Sequence, residues 1–417
     1  MEGYFSIRNF YIHNIIFIPM KFLFTPLLLF SLSAFAQLSP EITSWIINTT
    51  GATGYNGIPS NVQLVQYSEN NVYVSATCIP GYDIGPWNGN PNTPANQNFV
   101  FKITRHPAQN TGTLTNVGLG HIGVWTNGVS IFNPKDGMSY NNQGVWNRNA
   151  LYYEGASFDD CLGHPAPNGE YHHHVNPSCL YDDTDSLNHS PIIGFAFDGF
   201  PVYGAYAFTN TDGTGPIKRM RSSYVLSTNT TRNNGPNVNT AYPAGCFVED
   251  YTYIAGSGDL DEHNGRFCIT PEYPNGTYAY FVTLDETLYP VYPFVLGPKY
   301  YGVVQAGNTG PGSGHNTISE SVETYTPTGI DDISGKIHFD VFPNPASDYF
   351  TILIDRQEPN NLTMIITDEL GQVVMKQNNI QPAVPYTFDA TIYPSGLYFI
   401  SLKAHEKSSF IKLSINR

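Results

Sequence analysis

Tyr171-His172-His173-His174 follows the turn dipeptide Asn168-Gly169 and lies between Cys161 and Cys179. Side chains of an extended segment alternate between faces, so His172 and His174 project one way while Tyr171 and His173 project the other. Two imidazoles on one face can share a transition metal; the plainer reading is a polar strand whose histidines hydrogen-bond to neighbours. A catalytic metal site usually has three protein ligands and an open position. His164, in the same cysteine-bounded loop, is the first choice for the third ligand. His189 and Asp198 come next, each in a short polar break of an apolar segment, with His121 in reserve. Imidazole-rich ligation suits zinc or copper. Zinc would point to hydrolysis, with Asp198 or Glu170 as base, and copper to redox chemistry.

The elements that must position these residues read as strands. From Glu41 to Tyr325, short apolar and aromatic runs are separated by turn dipeptides such as Asn56-Gly57, Asn127-Gly128 and Asn275-Gly276. Runs at Val62 to Tyr67, Val72 to Ala76, Phe99 to Thr104, Gly123 to Trp125, Val129 to Phe132, Ile192 to Phe197 and Tyr278 to Leu284 are expected strands. No sustained helical period appears. Long polar connections at Ile79 to Asn98 and Ser227 to Pro243 are expected to pack as Ω-like loops over one end of the sheets.

An internal echo divides the histidine segment. Cys161-Leu162-Gly163-His164 before Pro167-Asn168-Gly169-Glu170-Tyr171 has a counterpart in His263-Asn264-Gly265-Arg266 before Pro274-Asn275-Gly276-Thr277-Tyr278. Tyr171 and His173 then fall on Tyr278 and Tyr280, whereas His172 and His174 fall on Ala279 and Phe281. The first face does the shared packing work. The second carries what is particular to one copy.

The chain has 417 residues, a 41% hydrophobic content, only 13% charged residues and abundant Gly, Pro, Tyr and Phe. This balance suits a loop-rich, mainly β protein. A formal net charge of -15, without a run of Lys or Arg, argues against nucleic acid as a partner. Asp259-Leu260-Asp261-Glu262 only partly resembles a calcium loop, because glycine comes one place late at Gly265 and no Glu closes it; it reads as a solvated acidic turn. Aromatic residues such as Trp87, Trp146 and Tyr153 read mostly as packing. They also leave open a secreted binding module for a carbohydrate or small molecule, with structural histidines and no turnover.

Lys21 precedes an apolar run, Phe22 to Phe35, that ends in Ala34-Phe35-Ala36, so residues 1–36 read as a secretory signal peptide rather than a stable membrane span, with Met20 the expected true start. Export favours disulfides, and by proximity Cys161 pairs with Cys179 and Cys246 with Cys268, leaving Cys78 over. A composition change at residues 326–337 marks a linker. The alternating runs from His338 to Ile415 then form a small β-sandwich over 338–417.

Three motifs in that tail, Val341-Phe342-Pro343-Asn344-Pro345, Thr367-Asp368-Glu369-Leu370-Gly371 and Ser395-Gly396-Leu397-Tyr398-Phe399, resemble the type A C-terminal sorting domain of the type IX secretion system. The resemblance implies an Ig-like sandwich, contact with the secretion machinery, a secreted or outer-surface location and a Bacteroidetes-like source. Residues 41–325 resemble the YHYH domain family at Asp160-Cys161-Leu162-Gly163-His164-Pro165, Asn168 to His174, His121 to Val129 and His189 to Gly204, with His173 in place of the family's third-position Tyr. That resemblance implies no particular reaction. The residues themselves point to a histidine-based metal site, which leaves open a metal-dependent enzyme of unknown substrate, with the non-catalytic binding module as the alternative.

Overall fold

The computed structural model describes residues 3, 38–327, 337, 339–354, 361–369, 371–404 and 407–416. The expected leader and most of the linker lie outside the described residues. Strands dominate, and the α-helices described, Pro40–Thr43 and Ala150–Tyr153, are single turns. No helix among the described residues is long and apolar enough to cross a membrane.

The central region is organised by an eight-stranded sheet in the order Gly265–Cys268, Thr277–Phe281, Pro201–Tyr203, Ile192–Ala196, His121–Trp125, Ser130–Phe132, Tyr171–His173, His164–Pro165. A second sheet pairs Glu323–Thr324, Val62–Tyr67, Asn71–Ala76 and Phe99–Thr104. His121–Trp125, Ile192–Ala196 and Thr277–Phe281 of the large sheet are buried on both faces, which explains their largely apolar runs.

The eight strands form two matching halves. Antiparallel pairing of Gly123 with Ala196, Val124 with Phe195 and Trp125 with Gly194 puts a local two-fold relation at the centre. Each inner hairpin then lies parallel to an outer strand: Ser130 and Ile131 beside His172 and His173, Val202 and Tyr203 beside Tyr280 and Phe281. The inner hairpins share a pattern, Gly123 to Phe132 against Gly194 to Tyr203, with Asn127-Gly128 matched by Asp198-Gly199. Gly128 and Gly199 have φ of 80° and 89°, the left-handed region that glycine enters without a Cβ penalty. The echo between the histidine segment and Asn275 to Phe281 is thus the outer half of a larger repeat.

The outer turns match atom for atom. Asp159 Oδ1 accepts from the backbone N–H groups of Cys161 and Gly163, and Asp261 Oδ1 from those of His263 and Gly265. Both carboxylates also accept a tyrosine hydroxyl, Tyr171 at 2.9 Å and Tyr278 at 2.8 Å. A Cβ on Gly163 or Gly265 would lie within 2.4 Å of that hydroxyl, so both positions require glycine. The acidic turn is therefore not solvated: Asp261 anchors this hub, and Asp259 pairs with Lys218 at 2.8 Å.

Asp198 occupies the corresponding hairpin turn of the second half. It is fully buried and accepts from the Tyr280 hydroxyl at 2.6 Å, Gly302 N at 2.8 Å and Phe200 N at 3.3 Å. Burial pushes its carboxyl up to about 6, against the hydrogen bonds that lower it. The folded-state value is raised, so the stabilising contribution is complete below the ordinary carboxylate value near pH 4 and is lost as pH rises through about 6. Denaturant unfolding of the native chain and of Asp198→Asn between pH 4 and 7 is expected to diverge by roughly 2–3 kcal/mol across that window, favouring the native chain at the acid end. A constant difference between the two would refute the assignment.

The C-terminal region has a three-stranded sheet, Phe339–Phe342, Tyr349–Ile354 and Tyr386–Asp389, and a four-stranded sheet in the order Val373–Ile380, Leu362–Asp368, Gly396–Ala404, Lys407–Ile415. Alternate residues such as Leu362, Met364 and Ile366 face a common core with Phe350, Ile352, Ile400 and Leu402, as expected of a small sandwich. Tyr386–Asp389, a four-residue strand directly after Pro385, closes the three-stranded sheet by pairing with Tyr349–Ile354.

Candidate metal centre

The site is assembled where the edge of the eight-stranded sheet meets the Ala150–Tyr153 turn. His164 pairs antiparallel with His172, and His174 follows at the end of the same strand. The strand's alternation sends Tyr171 and His173 into the core, where the Tyr171 hydroxyl meets Asp159 and His173 packs beside Trp125 and Tyr171. Burial pushes the His173 imidazole down to about 3. His172 and His174 face the other way, toward His164.

The three imidazoles present ligand atoms all within 4.8 Å of one another, and His172 Nε2 lies 3.1 Å from His174 Nε2. Their outer nitrogens are committed. His172 Nδ1 lies 3.0 Å from the Glu170 carbonyl and His174 Nδ1 2.5 Å from the Asn133 carbonyl. A carbonyl only accepts, so both Nδ1 atoms carry the proton. His164 Nδ1 lies 2.8 Å from Ser157 Oγ, whose own hydrogen is donated to the Glu154 carbonyl, so this Nδ1 is also the donor. In the neutral tautomers all three Nε2 lone pairs are bare and converge. Such facing lone pairs repel unless a cation lies among them, and nitrogens at 2.0–2.1 Å on a tetrahedral ion stand about 3.3 Å apart.

For His164 and His172 protonation is a poor substitute for that cation. Burial pushes His164 down to about 4, helped by His174 and opposed by Glu154, and burial holds His172 well below the ordinary imidazole value. Ring packing fixes the orientations: Phe132 stacks on His172 at 3.7 Å between centroids, and Phe158 packs against His164 and His174.

Glu154 supplies the nearest carboxylate, with Oε2 3.2 Å from His174 Nε2 and 3.9 Å from His164 Nε2. Burial pushes its carboxyl up, but a hydrogen bond from His174 Nε2, made only when that ring carries a second proton, and the charges of His174, His164 and Arg148 outweigh it and leave the group below its usual value. It is one-third exposed, whereas the histidines are nearly inaccessible, so it stands on the solvent side. Beyond lies a cleft of about 940 Å³ that all four residues line, together with Phe132, Lys135, Asp136 and Glu170. The loop from Ile79 to Asn98 walls this cleft and is tied down by Asn90 and Asn92 to the Pro165 carbonyl and by Gly85 and Trp87 to Asp159.

The structure brings together His164, His172 and His174 and leaves the other expected ligands apart. His189 lies in the second half against Tyr203, Phe208 and Phe281, near the place that corresponds to the histidine cluster, where Arg266, Ala279 and Phe281 replace the three imidazoles. Asp198 is spent on its own turn. Glu170 borders the cleft, but its Oε1 accepts from His121 Nδ1 at 2.9 Å and Ser130 Oγ at 2.6 Å. His121 therefore supports the centre indirectly, through the residue whose carbonyl orients His172.

Cys161 and Cys179 form the expected disulfide. Cys246 and Cys268 do not pair: Cys246 sits beside Asn149 and the buried Arg232, while Cys268 ends an edge strand opposite Thr277. Cys78 is a buried thiol donating to the Tyr171 carbonyl. Glu154, Ser157 and Asn133 were not singled out from sequence. The one available signal was that Glu154 is the sole acidic residue between Asp136 and Asp159.

Residues 100–293 match the family model described as YHYH protein, and residues 340–416 match the one described as secretion system C-terminal sorting domain. The chain carries a YHYH domain followed by a type IX sorting domain. The sorting domain marks it for export, as a secreted or cell-surface protein that engages the type IX secretion machinery. No curated protein matches the chain. A solved structure of PorZ, described as an essential surface component of the type-IX secretion system of Porphyromonas gingivalis, aligns with 86% of this chain at 11% identity and a TM-score of 0.16. That alignment covers 51% of PorZ, about half its length, and at so low a score it carries no argument.

Proposed function

We propose that the YHYH domain is an exported metalloprotein in which His164, His172 and His174 hold one zinc or copper ion through Nε2, and that the centre acts as a metal-dependent enzyme on a substrate entering the adjoining cleft. The observation that carries this reading is the convergence of three Nε2 atoms whose Nδ1 atoms are all occupied as donors. Carbonyl and hydroxyl partners of this kind set ligand tautomer and ring direction in metal sites. Zinc would supply a Lewis acid and a water acidified toward neutrality. Glu154 is the carboxylate suited to take that proton or complete the ligand set, and Glu170, already bonded to His121 and Ser130, is the cleft-lining alternative.

The test is elemental analysis of untagged protein purified without chelator, with unfolding temperature measured before and after metal removal. About one equivalent of zinc or copper per chain is expected. Reloading should raise stability by roughly 4 kcal/mol when free metal exceeds its Kd a thousandfold. A chain that holds no metal and gains no stability from any divalent ion would leave a hydrogen-bonded histidine cluster and the binding-module reading.

A further inference from the structure

The cleft does not end at the histidines. A second cavity of about 370 Å³ adjoins it, and Leu119, Lys135, Asp136 and Gly137 line both. Lys135 stands at this junction, placed by the same residue that orients a ligand: its backbone N–H donates to Asn133 Oδ1 at 2.7 Å, and the Asn133 carbonyl accepts from His174. Its ammonium makes no ion pair or hydrogen bond with any described residue. The neighbouring carboxylate is engaged elsewhere, since Asp136 Oδ1 accepts from Met138 N and Oδ2 faces Arg148 at 4.0 Å.

Lys135 is a half-buried residue beside walls that include Leu119 and Phe132, and an anion entering the cleft would give it a charge-assisted partner. Lys135 is the one lysine or arginine among the residues that line the two cavities. Asp136, Glu154 and Glu170 line the same cleft and oppose a dianion such as a phosphate monoester. One ammonium matches one carboxylate.

Resting on the metal-centre reading, we infer that the substrate bears a carboxylate, which Lys135 binds at the junction of the two cavities while the scissile or reacting group meets the histidine centre. Lys135 is then the specificity-determining residue. A small organic acid and the C-terminus of a peptide both offer this chemistry.

The test uses the metal-loaded full chain and two pairs of hydroxamates: succinic acid monohydroxamate with its carboxamide, and a tripeptide hydroxamate with free or amidated C-terminus. Calorimetric affinities are compared for the native protein, Lys135→Met and Lys135→Gln, with metal content measured in every sample. The free acid of at least one pair should bind tenfold to a hundredfold more tightly than its amide, the range of a charge-assisted hydrogen bond. Both variants should equalise the pair while keeping their metal. Preference for the small acid would indicate an organic acid as the natural source, and preference for the tripeptide a peptide terminus. Equal binding of acid and amide by the native protein, a preference that survives in both variants, or no binding of any probe to metal-loaded chain would overturn the inference. Chain without metal would instead mark failure of the underlying reading.

Discussion

Alanine at both His172 and His174 is expected to reduce bound metal to background, because one imidazole, His164, cannot retain a transition ion against solvent. Loss of His164 alone should weaken binding by more than the 10–100-fold typical of removing a partner that only orients a ligand. Ser157→Ala should fall within that 10–100-fold range, since it leaves all three imidazoles but frees the His164 ring to choose the other tautomer. Competition against a chelator of known affinity gives all three values on one scale. The order matters more than any single number: the double variant lowest, His164→Ala next, Ser157→Ala least affected. Unchanged metal content in the double variant would remove the histidine centre from consideration.

Asp159→Ala is expected to cost about 3–5 kcal/mol of stability, because one carboxylate satisfies buried donors from three segments. Its oxygens accept from Gly85 N, Trp87 Nε1, Cys161 N, Gly163 N and the Tyr171 hydroxyl. Asp261→Ala removes the matching hub in the other half, with His263 N, Gly265 N and the Tyr278 hydroxyl, and should cost somewhat less because no distant loop depends on it. Metal content separates the two. The Asp159 turn leads directly into His164, so its loss should release metal, whereas Asp261→Ala should retain it. Equal metal loss in both variants would mean that global stability, and not this turn, governs the centre.

The twin hubs also explain which features were visible in the sequence. Asn-Gly turns and alternating apolar runs report local backbone preference, so the strands, the hairpins and the opposite faces of Tyr171 and His172 could be read directly. The outer half of the repeat was legible because Pro-Asn-Gly-x-Tyr is contiguous. The inner half was harder to see, because Gly123 to Phe132 and Gly194 to Tyr203 share turn geometry and few side chains.

Long-range proximity behaved differently. Cys246 and Cys268 are near in sequence and were expected to pair, yet one adjoins Asn149 and the other ends a sheet edge. His189 and Asp198 have suitable chemistry, but the two-fold arrangement of the sheet assigns them to the half without the cluster. Glu154 sits 10 residues before His164 on an unremarkable single turn, and no local pattern distinguishes it from a surface acid.

The sequence by itself determined a mainly β exported protein, two regions, and a strand that presents His172 and His174 on one face, because backbone alternation and turn chemistry act over a few residues. Only the tertiary structure decided which third imidazole joins them, that Glu154 stands beside them, and that the group opens on a cleft with Lys135 at its far junction. Those facts depend on how strands distant along the chain pair at one sheet edge, where packing and hydrogen bonds between segments, rather than local preference, select the neighbours.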